Sequence, residues 1–574
     1  MKYLIKWLFP YWKKHKYRML LIITLGIISA ALQALIPLYI KQIINGFEKN
    51  LTVAYIEKNV LIMLGLGVIS FVVNVFAQRN RAYMNYRTEY EIREKLFNHI
   101  LNLDEYLFLK YSVGEVLTRL VDDISEKIAW FSCSGVFRFV QSFFTLIAII
   151  SVMLYLNVEL TIICLIPMPF MVYGVVKMGK VLTRKYDDLQ KAISNVYDYI
   201  ETSFSGVKVI KANLREKSFA SKFSSITSNQ MDKAVEAEKK QIFINYIFFG
   251  TAFFVVFIVY LVGGSLVIEN KLTVGALVSF QIYASMLIWP FGDVSQFFIS
   301  SNRARVSAKR VDEILNFKSS LLFEKKSVEL KRIERVELKN ISFSIGDKKL
   351  LENINIDIKT GQKIAVVGRI GSSKTMLLKI ISRILQYSSG HFYVNGIDVK
   401  DFEPKIYQSR LSYVSQEAAI LSDTVLNNIT MYKNYSEKDL KNAIEISQLE
   451  RDLSLMPHGL NTVVGNKGVT LSGGQKQRIS LARALIKSPD ILVMDDATNQ
   501  MDAETEHKFW SKFLKCFNNT MVIFVTHRTS TIERSDEVFV MDAGRIVERG
   551  NHKDLISKDS LYKKIYTKYK LENK

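Results

Sequence analysis

Six long stretches without a charged residue constrain this sequence more than any other feature. They lie at 19–40, 59–78, 139–158, 160–176, 242–268 and 272–292. A helix needs roughly 20 residues to cross the hydrocarbon core of a bilayer. Six such stretches are too many for the buried helices of a soluble fold, although the fourth is the weakest because Pro167 and Pro169 interrupt it. The sequence therefore predicts an α-helical transmembrane domain with six spans.

Basic residues cluster beside these apolar stretches. The chain has 77 Lys and Arg against 55 Asp and Glu, a net charge of +22, and such an excess accompanies either nucleic acid or a membrane surface. Lys and Arg favour the cytoplasmic side of a membrane, and they are concentrated in the N-terminal arm and in segments 79–138 and 177–241. We therefore expect a multi-pass cell-membrane protein that contacts the lipid bilayer and no nucleic acid, with both termini in the cytoplasm.

The two long polar segments between spans have a helical period, which predicts that the flanking spans continue as long cytoplasmic extensions. Each pair of extensions is expected to turn at a short tip, and the first tip is expected to contain 111–123 and the second 201–213. After the sixth span we expect a helix at 307–316 and a charged linker at 319–331. The predicted domains are a transmembrane domain, 1–318, and a second domain, 319–574.

A glycine loop between a buried strand and a helix characterises the second domain. The strand is predicted at 363–368 and the helix at 376–385. This is the context of a P-loop, in which backbone N–H groups and a helix N-terminus cradle phosphates. The alternative, for the loop taken alone, is a chance glycine turn before a helix. The candidate ATP-binding residues are Gly368, Arg369, Ile370, Gly371, Ser372, Ser373, Lys374, Thr375 and Met376.

Two further motifs follow the P-loop. A second buried strand, 490–495, ends in Asp495, as the Mg²⁺-positioning aspartate of a P-loop ATPase should. Before it, a Gly-Gly pair opens a helix and either coordinates phosphate or only forms a tight helix entry; this segment is Leu471, Ser472, Gly473, Gly474 and Gln475. The order of the motifs predicts an α/β P-loop NTPase domain.

With these motifs in this order, the whole chain resembles an ABC transporter of the exporter type, a half-transporter with six spans and one ATPase domain. The resemblance implies ATP and Mg²⁺ as cofactors and a second half-transporter as partner, whose ATP the signature segment 471–475 would contact. It also identifies 114–119 and 206–212 with the family's coupling segments. The remaining implied roles are adenine contact by Ile345, catalysis by Gln416, Asp496 and His527, and Mg²⁺ binding by Thr375, Gln416 and Asp495.

Three residues of the implied ATP site depart from the family pattern. Asp496 replaces a catalytic Glu, which withdraws the carboxylate by roughly 1 Å and can cost ~10²-fold in rate. Ile345 replaces an aromatic residue that stacks on adenine, and Ser373 adds a β-carbon where the family has Gly. The usual Ser-Ala-Leu-Asp is here 499–502, Asn-Gln-Met-Asp. We therefore predict a slow, degenerate ATP site and a heterodimer whose partner supplies an intact Walker A loop and a catalytic Glu.

The sequence leaves other functions open. A homodimeric exporter or lipid flippase is the alternative, and a membrane subunit whose ATPase only gates or regulates a partner is a third possibility. The six spans exclude a soluble DNA-repair ATPase of the same superfamily. Aromatic residues of the spans, such as Phe143 and Phe248, would suit a small amphipathic drug, lipid or peptide, but they suit lipid contact equally well. The compact build suggests, by family analogy, a bacterial membrane.

Overall fold

The computed structural model describes residues 1–49, 51–321, 328–465 and 468–572. By contacts the chain forms two compact units, one of 1–101 and 111–317, the other of 102–110 and 318–574. The charged linker predicted at 319–331 lies partly outside the described residues, which omit 322–327.

Long helices build the first unit. The helices between residues 1 and 317 are α1 (Lys2–Lys14), α2 (Lys16–Glu48), α3 (Val53–Leu101), α4 (Tyr106–Lys110), α5 (Val113–Thr118), α6 (Val136–Leu156), α7 (Val158–Leu165), α8 (Pro167–Ser205), α9 (Val207–Ala212), α10 (Glu216–Ile268) and α11 (Val274–Leu315). Two π-type segments, Arg119–Ala129 and Phe131–Gly135, join α5 to α6. Of these helices, α4 belongs to the second unit.

Among the described residues, six helical segments are long and apolar enough to cross a membrane. They are Lys16–Glu48, Val53–Leu101, Val113–Leu156, Val158–Ser205, Glu216–Ile268 and Val274–Leu315. Their 33 to 53 residues far exceed the roughly 20 that a bilayer requires, so the prediction of six spans with long extensions is confirmed. The helix predicted at 307–316 is the end of α11 rather than a separate helix.

The second tip lies where the sequence indicated, because Gly206 separates α8 from α9. The first tip was predicted only in part, because 111–123 includes the break at 111–112 but not the beginning of the tip. The coupling role of 114–119 stays a prediction. That stretch is helical from Val113, because the Ser112 hydroxyl accepts a hydrogen bond from the Glu115 N–H at 3.2 Å and caps the helix. The tip begins earlier, at 102–105 before α4, and the chain breaks again at 111–112 before α5.

Two sheets form the second unit together with shorter helices. Its strands are β1 (Arg335–Ile345), β2 (Lys348–Lys359), β3 (Lys363–Gly368), β4 (Ser389–Val394), β5 (Ile397–Asp398), β6 (Leu411–Val414), β7 (Ile491–Asp495), β8 (Met521–Val525), β9 (Glu537–Asp542) and β10 (Arg545–Gly550). Its helices after residue 318 are α12 (Lys374–Ile381), α13 (Pro404–Ser409), α14 (Val425–Thr430), α15 (Glu437–Ile446), α16 (Glu450–Leu455), α17 (Gly473–Leu485), α18 (Ala503–Cys516), α19 (Thr529–Ile532), α20 (His552–Ser557) and α21 (Leu561–Glu572).

The larger sheet positions the candidate site. Its order is β10-β9-β3-β8-β7-β6, with β10 antiparallel to β9 and the other neighbours parallel. Alternate side chains of β3 enter two different cores, Ala365 and Val367 on one face, Ile364 and Val366 on the other. A sheet covered on both faces exposes ligand sites at the carboxyl ends of its parallel strands. The smaller, antiparallel sheet has the order β2-β1-β4-β5.

Candidate nucleotide site

The predicted phosphate loop begins at the carboxyl end of β3. Gly368 pairs with Met541 of β9, and a β-carbon on Gly368 would overlap the Met541 carbonyl oxygen, so only glycine fits here. Five residues later, Ser373 precedes α12 with φ 68° and ψ 28°. This left-handed conformation costs a residue with a β-carbon roughly 1–2 kcal/mol. The departure from Gly at position 373 therefore places strain inside the loop.

Three groups of this loop are suited to phosphate. The Lys374 ammonium donates to the carbonyl oxygens of Gly368 and Arg369, each at 2.9 Å, and burial lowers the pKa of Lys374 against the attraction of nearby carboxylates. The Ser372 hydroxyl is buried without a hydrogen-bond partner among the described residues. The Ser373 side chain does not cap the first N–H groups of α12. An ammonium, a hydroxyl and uncapped helix N–H groups are the donors that an ATP phosphate chain needs.

Asp495 lies next to this loop, at the end of β7. It is 3% exposed, and its carboxylate accepts hydrogen bonds from the hydroxyls of Thr375 and Tyr413, the latter at 3.5 Å. Burial raises the pKa of Asp495, while these hydrogen bonds and Lys374 oppose the shift. Gln416 follows β6, the neighbouring parallel strand, and is exposed. A carboxylate, a hydroxyl and an amide oxygen are suitable ligands for Mg²⁺.

Asp496, the residue in place of a catalytic Glu, is held inside the site. It is 4% exposed with φ 49°, a conformation that Asp tolerates better than most residues. Its Oδ2 accepts a hydrogen bond from Asn499 Nδ2 at 2.9 Å. Burial raises the pKa of Asp496, which the charge of His527 opposes. Asn499 was seen in the sequence only as a departure from the family pattern; the structure adds that it fastens the short carboxylate.

His527 follows β8 and contacts a residue that the sequence did not indicate. Its ring lies edge-on to Tyr569 of α21, with 4.7 Å between ring centroids and 66° between planes. The Tyr569 hydroxyl also donates to the Gly368 carbonyl at 3.3 Å. The two residues of this last contact are 201 positions apart, and no local pattern predicts such a pair.

The signature segment opens α17 on the surface of the unit. Ser472 and Gln475 form a capping box, in which the Ser472 hydroxyl accepts from the Gln475 N–H at 3.3 Å and the Gln475 side chain accepts from the Ser472 N–H at 2.9 Å. Leu471 is buried, whereas Ser472 is exposed. Gly473 lies so close to the Gln500 side chain that a β-carbon would collide with it. The prediction of a helix entry at 471–475 is confirmed.

Ile345 ends β1 at the hairpin to β2 and is half-buried against the core beneath it. Apolar contact with a base is possible at this position, but a π-face is missing.

The turn at 102–105, which the sequence analysis missed, contacts α12. Glu105 Oε1 accepts a hydrogen bond from Lys379 Nζ at 2.7 Å, and both side chains are largely shielded, at 33% and 20% exposure. Asp104 accepts from the backbone N–H groups of Ser320 and Leu321 at 2.5 and 3.1 Å. The turn and α4 together form the segment named here the turn 102–110. Its contacts fasten it both to the start of the linker and to the helix that follows the phosphate loop.

Six membrane-crossing helices and an α/β domain with a phosphate loop, a buried Asp495 and a signature helix define an ATP-driven membrane transporter of the exporter kind. The comparisons with known proteins agree. The ABC transporter transmembrane region family matches residues 19–291, and the ABC transporter family matches residues 351–499. The chain belongs to the ABC transporter family and combines both of its domains, so ATP hydrolysis coupled to transport is its activity.

Curated relatives match along the full chain. The multidrug resistance-like ATP-binding protein MdlA of Buchnera aphidicola subsp. Baizongia pistaciae is 30% identical over 99% of both chains. The protein of the same name from Buchnera aphidicola subsp. Schizaphis graminum is 28% identical over 99% of this chain and 98% of the relative. A solved structure of a bacterial Atm1-family ABC exporter with ATP bound has a TM-score of 0.84 at 20% identity and covers 96% of this chain and 99% of that chain. At that identity the likeness concerns the fold.

Proposed function

We propose that this chain is the half that carries a degenerate ATP site in a heterodimeric exporter, which moves a small amphipathic drug, lipid or peptide by alternating access. The observation that carries the proposal is Asp496, short of the usual Glu by one methylene and held back by Asn499 at 2.9 Å. The multidrug resistance-like name of the relatives supports a drug-like substrate.

The proposed ATP site follows the sequence assignment. Residues 368–376 and Ile345 bind ATP, while Thr375, Gln416 and Asp495 hold Mg²⁺, which neutralises phosphate charge when bound. Lys374 exchanges its two carbonyl partners for phosphate oxygens. Asp496 and His527 act on the attacking water and the terminal phosphate.

Slow turnover in this chain's own site follows from several features that act in the same direction. Asp496 can approach a water only by stretching away from Asn499, and a misplacement of about 1 Å costs ~10²-fold. Ser373 keeps a strained backbone at the phosphate loop. Ile345 offers adenine no stacking face. Such a site retains ATP between cycles and shifts the dimer toward its closed population.

The signature segment is intact by contrast. Its capping box presents the exposed Ser472 at the positive end of α17, where an anion is stabilised. We infer that 471–475 complete the competent site of a partner half-transporter that has an intact Walker A loop and a catalytic Glu.

The proposed placement is a bacterial inner or plasma membrane, with the termini and the ATPase domain in the cytoplasm. The excess of Lys and Arg in 79–138 and 177–241 supports this orientation. We propose that residues 1–318 form the membrane domain and residues 319–574 the ATPase domain.

The test compares steady-state ATPase activity of the chain purified alone in nanodiscs with the activity of the complex isolated from its native membrane through a tag on this chain. We expect the lone chain to bind ATP but to turn over slowly, and the native complex to contain a second half-transporter and to hydrolyse ATP at an ordinary rate, roughly 10 s⁻¹. Replacing the partner's catalytic Glu by Gln should abolish that activity, and Lys374→Ala in this chain serves as the matched control for its own site. A lone chain that forms homodimers and hydrolyses ATP at the ordinary rate would refute the degenerate-site proposal.

A further inference from the structure

Tyr569, near the end of α21, joins two parts of the nucleotide site. Its hydroxyl donates to the Gly368 carbonyl oxygen at 3.3 Å, at the start of the phosphate loop. Its ring contacts the ring of His527 edge-on, with 4.7 Å between centroids. At 6% exposure, the side chain lies inside the fold, although its helix is the last described element of the chain.

Two side chains donate to the Gly368 carbonyl oxygen. It accepts from Lys374 Nζ at 2.9 Å and from the Tyr569 hydroxyl. To reach a phosphate, Lys374 must leave this oxygen. A buried carbonyl that loses a hydrogen bond without replacement carries a desolvation penalty. Because Tyr569 continues to donate, Gly368 stays satisfied while Lys374 moves, and the cost of ATP binding falls.

The ring of Tyr569 restricts His527 on the other side. An edge-on aromatic pair at this separation is attractive and orientation-dependent. Helix α21 cannot easily shift, because Tyr562 and Tyr566 are also buried, at 0% and 7% exposure. The Tyr562 hydroxyl lies 2.6 Å from His552 Nδ1, and the Tyr566 hydroxyl bonds to Glu533. The His527 ring therefore packs against an anchored surface.

We infer that Tyr569 is a positioning residue for ATP, which supports the release of Lys374 through its hydroxyl and orients His527 through its ring. The C-terminal helix α21 thereby sets the affinity and the turnover of this chain's nucleotide site. The inference rests on the proposed ATP site and assigns to α21 a role that neither the motifs nor the comparisons contain.

The two contacts can be separated by substitution in the full-length chain. Tyr569→Phe keeps the ring against His527 but removes the hydroxyl. Tyr569→Leu removes both contacts. Tyr562→Phe is the matched control, because it removes a buried tyrosine hydroxyl from the same helix without touching the phosphate loop. Lys374→Ala is the control in which ATP binding to the proposed site should be lost.

The dissociation constant is measured by titration with a fluorescent ATP analogue, and the hydrolysis rate by single turnover of labelled ATP at saturating protein. We expect Tyr569→Phe to weaken binding by about 5- to 10-fold, the usual worth of one hydrogen bond, with the single-turnover rate unchanged. Tyr569→Leu should weaken binding and also slow the single turnover. Tyr562→Phe should match wild type in both, because its ring stays buried and Tyr566 still holds α21 to Glu533.

Each outcome either supports or overturns the role inferred for Tyr569. If Tyr569→Phe binds ATP as wild type does while Lys374→Ala does not bind, the inference on Tyr569 is wrong and the proposed ATP site stands. If Tyr562→Phe weakens binding as much as Tyr569→Phe, α21 acts only through stability and the inference is again wrong. If wild type does not bind ATP, the proposed site and the inference both fail.

Discussion

Lengthening Asp496 tests most directly why the ATP site should be slow. Asp496→Glu adds one methylene and advances the carboxylate by about 1 Å. If reach alone limits the rate, the recovery is about 10²-fold, or about 2.7 kcal/mol of activation free energy. The Asn499 hydrogen bond opposes this gain, because it holds Oδ2 at 2.9 Å.

A hydrogen bond to a charged group contributes about 1.5–3 kcal/mol, which is the same size as the expected gain. A Glu that keeps the bond to Asn499 is still directed away from the attacking water. We therefore expect Asp496→Glu alone to raise the rate by no more than about 10-fold, and Asp496→Glu with Asn499→Ser to approach 10²-fold. Asn499→Ser alone should stay near wild type, because Asp remains too short.

Steady-state phosphate release from the chain alone, in nanodiscs with saturating Mg-ATP, measures these rates. Lys374→Ala in each background subtracts contaminating ATPases. The reasoning would be refuted if the double variant bound ATP normally and still hydrolysed it at the wild-type rate, since carboxylate reach would then not limit the chemistry.

Three further predictions follow from other contacts. Ser373→Gly relieves the left-handed strain at φ 68° and should tighten ATP binding by about 3- to 10-fold in a fluorescence titration. Ser373→Ala keeps the β-carbon and should leave the dissociation constant unchanged. Equal effects of the two substitutions would contradict the strain argument. Charge exchange between Glu105 and Lys379 should show a coupling of about 0.5–1 kcal/mol in a double-mutant cycle of thermal unfolding; additive single effects would mean that the 2.7 Å pair contributes nothing. Because burial raises the folded-state pKa of Asp495, stability should fall as pH rises from the ordinary Asp range through that raised value. Asp495→Asn in EDTA should remove this fall and unfold a few degrees higher at pH 7, and an unchanged pH profile would show that burial does not perturb this carboxyl.

Sequence patterns predicted features that repeat or that lie close together in the chain. The charge-free stretches predicted the six spans, and the strand, loop and helix around Lys374 predicted the phosphate loop. The beginning of the first tip was missed because Gly114 looks like a turn, whereas Ser112 caps a helix there. The turn at 102–105 combines a local contact, in which Asp104 Oδ1 accepts from the Tyr106 N–H at 3.2 Å, with contacts of Asp104 Oδ2 to Ser320 and Leu321, more than 200 residues away. No local pattern predicts the second set. Tyr569 was missed for the same physical reason, since its contact with Gly368 exists only after folding.

The turn 102–110 has a consequence for biosynthesis. The ribosome makes this turn before most of the membrane helices, whereas the long-range partners of the turn belong to the second half of the chain. Lys379 is synthesised 274 residues after Glu105. At 5–20 residues per second, a ribosome needs roughly 14 to 55 s to make that stretch. Asp104 lacks Ser320 for the first 216 residues of this stretch, and Glu105 lacks Lys379 for all 274. A nascent chain truncated before Ser320 therefore presents both carboxylates without their long-range partners, and one truncated between Leu321 and α12 leaves only Glu105 without Lys379. The turn thus reaches its final contacts in two steps, and the second step requires the phosphate-loop helix.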